Sequence, residues 1–110
     1  MACGGDGTYH EVVNGMLARS DGKRLPLGLI PNGSGNTVCF SLGIYTADDA
    51  LDYIEAGFAG EFDIYRVWRD DEEYRYALMS TFLGYPPEWA RTAIPFKPYL
   101  RDKAYLLAIV

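Results

Sequence analysis

The sequence lacks a long hydrophobic run, which excludes a helix that crosses a membrane by itself. Its longest purely apolar stretch, Leu106 to Val110 behind Ala104 and Tyr105, is far shorter than the roughly 20 residues that a membrane span needs. No basic and apolar leader precedes the first glycines, Gly4 and Gly5, so a secretory signal is not expected. These absences predict a cytoplasmic location.

Metal-ligating residues and positive charge are also scarce. The sequence has two cysteines, Cys3 and Cys39, and one histidine, His10, and their spacing matches no recognised zinc site. We expect both cysteines to be reduced residues of the core. The formal net charge of −5 is accompanied by no stripe of Lys and Arg, and this excludes nucleic acid as the partner.

The chain does contain enough apolar material for one small domain, since 49% of its 110 residues are hydrophobic. Thr8 and Glu11 have the spacing of a capping box, which predicts a helix that begins at Thr8 and ends near Arg19. The apolar run from Leu27 to Ile30, closed by Pro31, is typical of a buried strand in a parallel sheet. Helix followed by parallel strand predicts an α/β fold.

Two further helices and a hairpin are predicted next. The first helix covers Asn36 to Leu42, and the second begins at Thr46, ends at Gly57 and has Leu51 on its inner face. From residue 61 the hydrophobic period changes to two, which predicts a hairpin around the acidic run Asp70 to Glu73. We interpret that run as a solvated turn, because its carboxylates have no converging partners.

The remainder of the chain is less regular. Four prolines predict an irregular segment, and they are Pro86, Pro87, Pro95 and Pro98. From Tyr99 onwards the pattern fits a helix and a strand equally well.

Two glycine-rich loops follow predicted strands and open predicted helices. The first contains Gly4, Gly5 and Gly7, and the second runs from Asn32 to Asn36. Such a loop presents backbone N–H groups and the positive end of a helix dipole, which together bind phosphate. One loop alone is a weak signal, because any tight turn recruits glycine. Two loops at the same edge of a parallel sheet, where open α/β sheets bind ligands, predict a phosphate-bearing ligand.

Asp6 stands between the glycines of the first loop. A carboxylate there repels a triphosphate unless a Mg²⁺ ion or a substrate hydroxyl lies between them. This placement favours phosphoryl transfer, with Asp6 accepting the proton of the hydroxyl late in a loose transition state. The residues leave open the alternative that Asp6 only caps the turn.

The segments Gly4 to Thr8, His10 to Gly15 and Leu27 to Asn36 read GGDGT, HEVVNG and LGLIPNGSGN. They resemble the catalytic domain shared by diacylglycerol, sphingosine and ceramide kinases, and the resemblance covers Ala2 to about Trp68. A bare Gly-Gly-Asp-Gly also occurs in NAD kinases and phosphofructokinases, whereas the Pro-Asn-Gly-Ser-Gly-Asn loop is the version found in lipid kinases.

The resemblance implies a lipid kinase that uses ATP and Mg²⁺ to phosphorylate a hydroxyl of a sphingoid base, ceramide or diacylglycerol. Asp6 matches the proposed base of sphingosine kinases, whereas bacterial diacylglycerol kinases use a Glu of a C-terminal domain that this chain does not contain. The residues implied to bind ATP are Gly4, Gly5, Gly7, Thr8, Glu11, Asn32, Gly33, Ser34, Gly35 and Asn36. No side chain is assigned to the metal. Peripheral membrane contact is implied for the full protein.

The family fold implies two incomplete parts. Residues 1–60 correspond to part of the parallel-sheet nucleotide-binding domain, and residues 61–110 to the start of a β-rich lipid-binding part. The family's first βα unit and most of its C-terminal domain are not included, so we expect a fragment that is inactive alone. His10, Ser34 and Thr37 favour a sphingoid-type acceptor.

Two alternatives stay open. The first is a soluble kinase that resembles NAD kinase, because the first glycine motif is shared with that family. The second is a catalytically inactive nucleotide-binding module. The segment from Tyr85 to Pro87 has no match to the family's Asp that contacts the lipid head group. That absence favours either ceramide or diacylglycerol as the acceptor or this inactive module.

Overall fold

The structure is a computed structural model that describes residues 1–81, 85–100 and 103–104. Backbone contacts divide the chain into two compact units, Met1–Met79 and Ser80–Val110. The domain division predicted at residue 60 stays a prediction. The end of the second predicted hairpin strand and most of the undecided segment after Tyr99 lie outside the described residues.

The first unit is a mixed α/β structure. Its elements are β1 (Ala2–Gly4), α1 (Asp6–Leu17), β2 (Leu29–Pro31), α2 (Thr37–Ser41), α3 (Ala47–Glu55), β3 (Tyr65–Arg69) and β4 (Glu72–Ala77). Strands β1 and β2 are parallel, with Ala2 opposite Leu29 and Gly4 opposite Pro31. The predicted order of helix, parallel strand and helix is therefore confirmed.

Helix α1 starts at Asp6, so the predicted start at Thr8 with a capping box is wrong. Gly5 precedes the helix in an extended conformation and carries no side chain that could cap it. The glycine turn sets the start of the helix. Glu11, the other member of the predicted box, forms an ion pair with Arg75 at 2.7 Å instead.

Helices α2 and α3 agree with the predicted positions. Gly43 and Gly57 follow them with φ of 77° and 69°, the left-handed conformation that commonly ends a helix. Thr46 caps α3 in a capping box with Asp49. Leu51, predicted on the inner face of α3, is 44% exposed, whereas Ala50 is buried.

Strands β3 and β4 form the predicted antiparallel hairpin. The turn is shorter than expected, because Glu72 and Glu73 already belong to β4. Asp70 and Asp71 have φ of 51° and 65°, as a two-residue turn with the twist of a hairpin requires.

The core of this unit lies where α1 and α2 meet the parallel sheet. It consists of Ala2, Tyr9, Val38 and Cys39, with Leu27, Leu29, Ile44 and Leu78 packed against it. Cys39 is buried and unpaired, as predicted, whereas Cys3 is exposed and does not belong to the core.

The second unit is helical from Tyr85 to Leu100. Helix α4 (Tyr85–Ala93) is followed by a 3₁₀ turn (Ile94–Phe96) and by α5 (Lys97–Leu100), so the predicted irregular segment is wrong. Pro86 and Pro87 lie in the first turn of α4, where a missing N–H breaks no helical hydrogen bond. In the part of the chain that the structure describes, no helix has the length and apolar character to span a membrane.

Candidate active site

The two glycine-rich loops begin side by side. Gly4, at the end of β1, is the register partner of Pro31, at the end of β2. The N–H of Asn32 donates to the carbonyl of Gly4 at 2.8 Å. The prediction that both loops leave the same edge of a parallel sheet is confirmed.

The loops then touch each other through two glycines. A Cβ placed on Gly5 would lie 2.9 Å from the Cα of Gly33, and a Cβ on Gly33 would lie 2.9 Å from the N of Gly5. Real Cβ atoms do not approach backbone so closely. These two glycines are therefore required by contact between the loops, a reason that their sequence pattern does not reveal.

Gly7 has a different environment. Apart from its chain neighbours and the backbone of its own helix, no atom of the described residues lies within 4 Å of a Cβ placed there. Gly7 belongs to the first turn of α1, where the N–H groups of Asp6, Gly7 and Thr8 have no acceptor within the helix. This helix end combines open space, N–H donors and a positive dipole, which is the arrangement that accepts an anion.

Asn36 closes the second loop on itself. Its Oδ1 accepts the N–H of Gly33 at 2.7 Å, and its Nδ2 donates to the carbonyl of Gly33 at 2.8 Å. The residue has φ of 53°, a left-handed conformation that Asn tolerates better than most residues. The loop from Gly33 to Asn36 is thus a fixed ring, and its exposed residues Ser34 and Gly35 lie between the two ends.

Asp6 reaches from the first loop to the second. Its Oδ2 accepts the N–H of Thr37 at 3.1 Å and its Oδ1 accepts the N–H of Val38 at 2.9 Å. Both donors belong to the first turn of α2. Asp6 therefore caps a helix, although not the turn in which it stands.

Tyr9 joins the ends of strands β1 and β2 through its hydroxyl. Its hydroxyl lies 2.7 Å from the carbonyl oxygens of both Gly4 and Ile30, so the two carbonyls share its single proton. The thiol of Cys39 donates to the same hydroxyl at 3.2 Å. Burial, helped by the contact with Cys39, raises the pKa of Tyr9 well above its usual value. Sequence reasoning missed this residue, although its spacing to Val13 places it on the inner stripe of α1.

The sequence model of the diacylglycerol kinase catalytic domain matches residues 1–67. The chain belongs to this lipid kinase family. Both glycine loops, Asp6, Tyr9 and Asn36 lie inside the matched region. The predicted resemblance is confirmed.

Two relatives illustrate the match. Sphingosine kinase B of Dictyostelium discoideum is 41% identical over 63 residues, which is 54% of this chain and 8% of that protein. The probable lipid kinase YegS of Salmonella newport is 44% identical over 68 residues, which is 61% of this chain and 23% of that protein. The chain thus spans less than a quarter of the length of either lipid kinase. No solved structure gives a significant match.

The residues predicted for the kinase site do not all lie at the edge formed by the two loops. Glycines and polar residues of the two loops come together, whereas Glu11 is turned towards β4 by its ion pair with Arg75. Asn14, which was not predicted, also binds β4: its Oδ1 accepts the N–H of Tyr76 at 2.9 Å, and its Nδ2 donates to the carbonyl of Tyr76 at 2.9 Å. Helix α1 of this kinase domain therefore joins the loop edge to the hairpin.

The first unit of the lipid kinase chain also has an apolar cleft of about 960 Å³. Val13, Leu29, Ile54, Phe62 and Leu78 are among the side chains that line it. The loop residues Asp6, Gly7 and Gly33 are not among its lining in the described structure. The cleft follows the core side of the sheet and is separate from the loop edge.

Proposed function

We propose that the complete protein is an ATP-dependent lipid kinase that phosphorylates a hydroxyl of a sphingoid base, ceramide or diacylglycerol. The observation that carries this proposal is the meeting of two glycine loops at the carboxyl edge of parallel strands, in a chain of the diacylglycerol kinase catalytic domain family. The printed names of the relatives support a lipid acceptor, and one of them is a sphingosine kinase.

The phosphates of ATP would bind where N–H donors are free. The first turn of α1 offers the N–H groups of Asp6, Gly7 and Thr8, and the exposed tip of the second loop adds those of Ser34 and Gly35. The first turn of α2 is already satisfied by Asp6. The proposed phosphate site therefore lies over α1 and the tip of the second loop.

A Mg²⁺ ion would come with the nucleotide. Among the described residues no group of three His, Cys, Asp or Glu could hold a metal, and Mg²⁺ commonly binds through substrate phosphates, waters and only one or two carboxylates. Asp6 fits such a minor role, because a carboxylate has about four acceptor sites and Asp6 uses two. When bound, the ion would neutralise charge on the transferring phosphoryl group.

The test is an assay of the complete protein with radiolabelled ATP and Mg²⁺ against sphingosine, ceramide and diacylglycerol in mixed micelles. The proposal requires labelled phosphate on at least one of these lipids. Labelling of NAD and of no lipid would select the soluble-kinase alternative instead. Binding of ATP without transfer to any acceptor would identify an inactive nucleotide-binding module.

The acceptor also has a consequence for location. Because these lipids reside in membranes, we propose a cytoplasmic protein that contacts membranes peripherally. Flotation of the complete protein with phospholipid vesicles, with and without added sphingosine or diacylglycerol, checks this. A protein that stays entirely in the soluble fraction under all of these conditions contradicts it.

A further inference from the structure

Helix α2 is capped by a residue from another helix. Asn36 occupies its N-cap position, and Asn is among the residues preferred there because its side-chain oxygen accepts an N–H of the first turn. In this chain the Asn36 side chain turns back to Gly33 and makes no capping bond. The N–H groups of Thr37 and Val38 are left for Asp6.

The surroundings of Asp6 fit this capping contact. Its two carboxylate oxygens accept one N–H each, from Thr37 and Val38, and the negative charge lies at the favourable end of the α2 dipole. Gly35 leaves the space that the carboxylate occupies, since a Cβ there would lie 3.0 Å from Oδ2 of Asp6. Val38 is buried, so loss of the acceptor would leave a buried donor without a partner.

We infer that Asp6 is a positioning residue, which holds the second glycine loop against the first. The inference rests on the proposed kinase function and deepens it. A base must turn a free lone pair to the substrate hydroxyl within hydrogen-bond reach. Asp6 is held towards the first turn of α2 by its two bonds, so any further use of its remaining acceptor sites must keep that orientation.

Amide hydrogen exchange in the nucleotide-free complete protein tests the contact directly. Thr37 and Val38 should exchange about tenfold or more slowly than Asp6 and Gly7, which hold the same positions in α1 and lack an acceptor. Asp6→Asn should remove much of that protection, because its amide group presents one acceptor oxygen in place of two. Exchange at Thr37 and Val38 as fast as at Asp6 and Gly7 in the unmutated protein would overturn the inference.

Steady-state kinetics of Asp6→Asn separate the two roles. A positioning residue predicts that KM for ATP rises about tenfold while kcat falls by less, since the binding loops lose their order. The acidic limb of kcat against pH should remain. A loss of roughly 10²-fold or more in kcat at unchanged KM for ATP, with the acidic limb abolished, is the behaviour of a lost base and would overturn the inference.

Asp49 provides a matched control. Its carboxylate accepts the N–H groups of Tyr45 and Thr46 at 2.9 and 2.8 Å, so it also orders backbone at the start of a helix, although as the N3 member of the α3 capping box and outside the two glycine loops. Asp49→Asn should speed exchange at Tyr45 and Thr46 and leave KM for ATP unchanged. An equal rise in KM for ATP in this variant would show that any lost cap disturbs nucleotide binding, against a specific role of Asp6.

The exchange experiment also keeps this inference separate from the proposed function. If the unmutated protein phosphorylates none of the three lipids, the proposed function fails. The exchange rates of Thr37 and Val38 still decide whether Asp6 holds α2, because they require no turnover.

Discussion

Helices α1 and α2 begin in the same way, but the N–H groups of their first turns have different surroundings. Each follows a strand of the parallel sheet and a glycine loop, so each presents N–H donors and a positive dipole at the same edge. At α2 the donors of Thr37 and Val38 are satisfied by Asp6, whereas at α1 the space around Gly7 is open. A strand, a glycine loop and a helix therefore do not by themselves define a phosphate site. What decides is whether the protein has already supplied an acceptor.

Among the variants considered, Gly33→Val should have the largest effect, because it acts on the contact between the two glycine loops. Its branched side chain would collide with the backbone of Gly5 and push the loops apart. Because backbone must move, we expect a cost well above the roughly 1–3 kcal/mol that overpacking of side chains typically causes. Thermal unfolding and ATP titration of the complete protein should both show a strong loss. Gly60→Val is the control, because among the described residues nothing lies within 4 Å of its Cβ. Equal effects of the two substitutions would rule out the contact between the loops as the cause.

Asn36→Ala comes next, because it opens the ring of the second loop. It removes two hydrogen bonds to Gly33, each worth about 0.5–1.5 kcal/mol, and puts alanine at a φ of 53°, which costs a further 1–2 kcal/mol or so. Asn36→Gly loses the bonds without the strain. Thermal unfolding should therefore rank the glycine variant between the unmutated protein and the alanine variant. A glycine variant less stable than the alanine variant would contradict the role given to the backbone conformation.

Tyr9→Phe should relax the spacing of the two strand ends. Loss of the hydroxyl proton shared by the carbonyls of Gly4 and Ile30 should cost about 0.5–1.5 kcal/mol, the net value of a typical hydrogen bond, since Gly4 keeps the N–H of Asn32, and this is measured as a lower thermal midpoint. Tyr45→Phe, at a tyrosine that is 65% exposed, should change little. If Tyr45→Phe lowers the midpoint as much as Tyr9→Phe does, the hydroxyl of Tyr9 is not what joins the strands.

The same tyrosine predicts a dependence on alkaline pH. Burial raises the pKa of Tyr9 in the folded protein above the value of 10.0 expected for the unfolded chain. Its stabilising contribution is therefore complete below pH 10 and declines as the pH rises further, because only the unfolded chain ionises there. Tyr9→Phe should lack this part of the decline. An identical alkaline decline in both proteins would contradict the shift.

The smallest effect is expected from Gly7→Ala, which tests the open space at the first turn of α1. Alanine should stabilise helix α1 by about 0.5–1 kcal/mol and weaken ATP binding a few-fold, because its methyl group enters the space proposed for phosphate. Gly15→Ala, also in α1 and also without a neighbour within 4 Å in the described structure, should stabilise the helix equally and leave ATP binding unchanged. Equal ATP affinity in the two variants would place the phosphates elsewhere.

The features predictable from sequence were the local ones. The glycine loops and helices α2 and α3 each depend on residues that are close in the chain. The pairing of β1 with β2 is not local, but it follows from the general rule that a strand, a helix and a strand form a parallel pair. The partners of Asp6 lie 31 and 32 residues away and the partner of Asn14 lies 62 residues away, so no spacing rule could find them. The helix start predicted at Thr8 was wrong because the glycine turn before Asp6 starts the helix ahead of the capping pattern.

The hydrogen bonds that join the two loops also affect the order in which this edge of the sheet folds. Tyr9 bonds to a residue 21 positions along the chain, and Asp6 to residues 31 and 32 positions along it. Each of these contacts closes a chain segment whose entropy must be lost before any bond is gained. Both glycine loops can therefore reach their native arrangement only after β2 has docked beside β1. The edge formed by the two glycine loops should therefore fold late, after α1 and the β3–β4 hairpin.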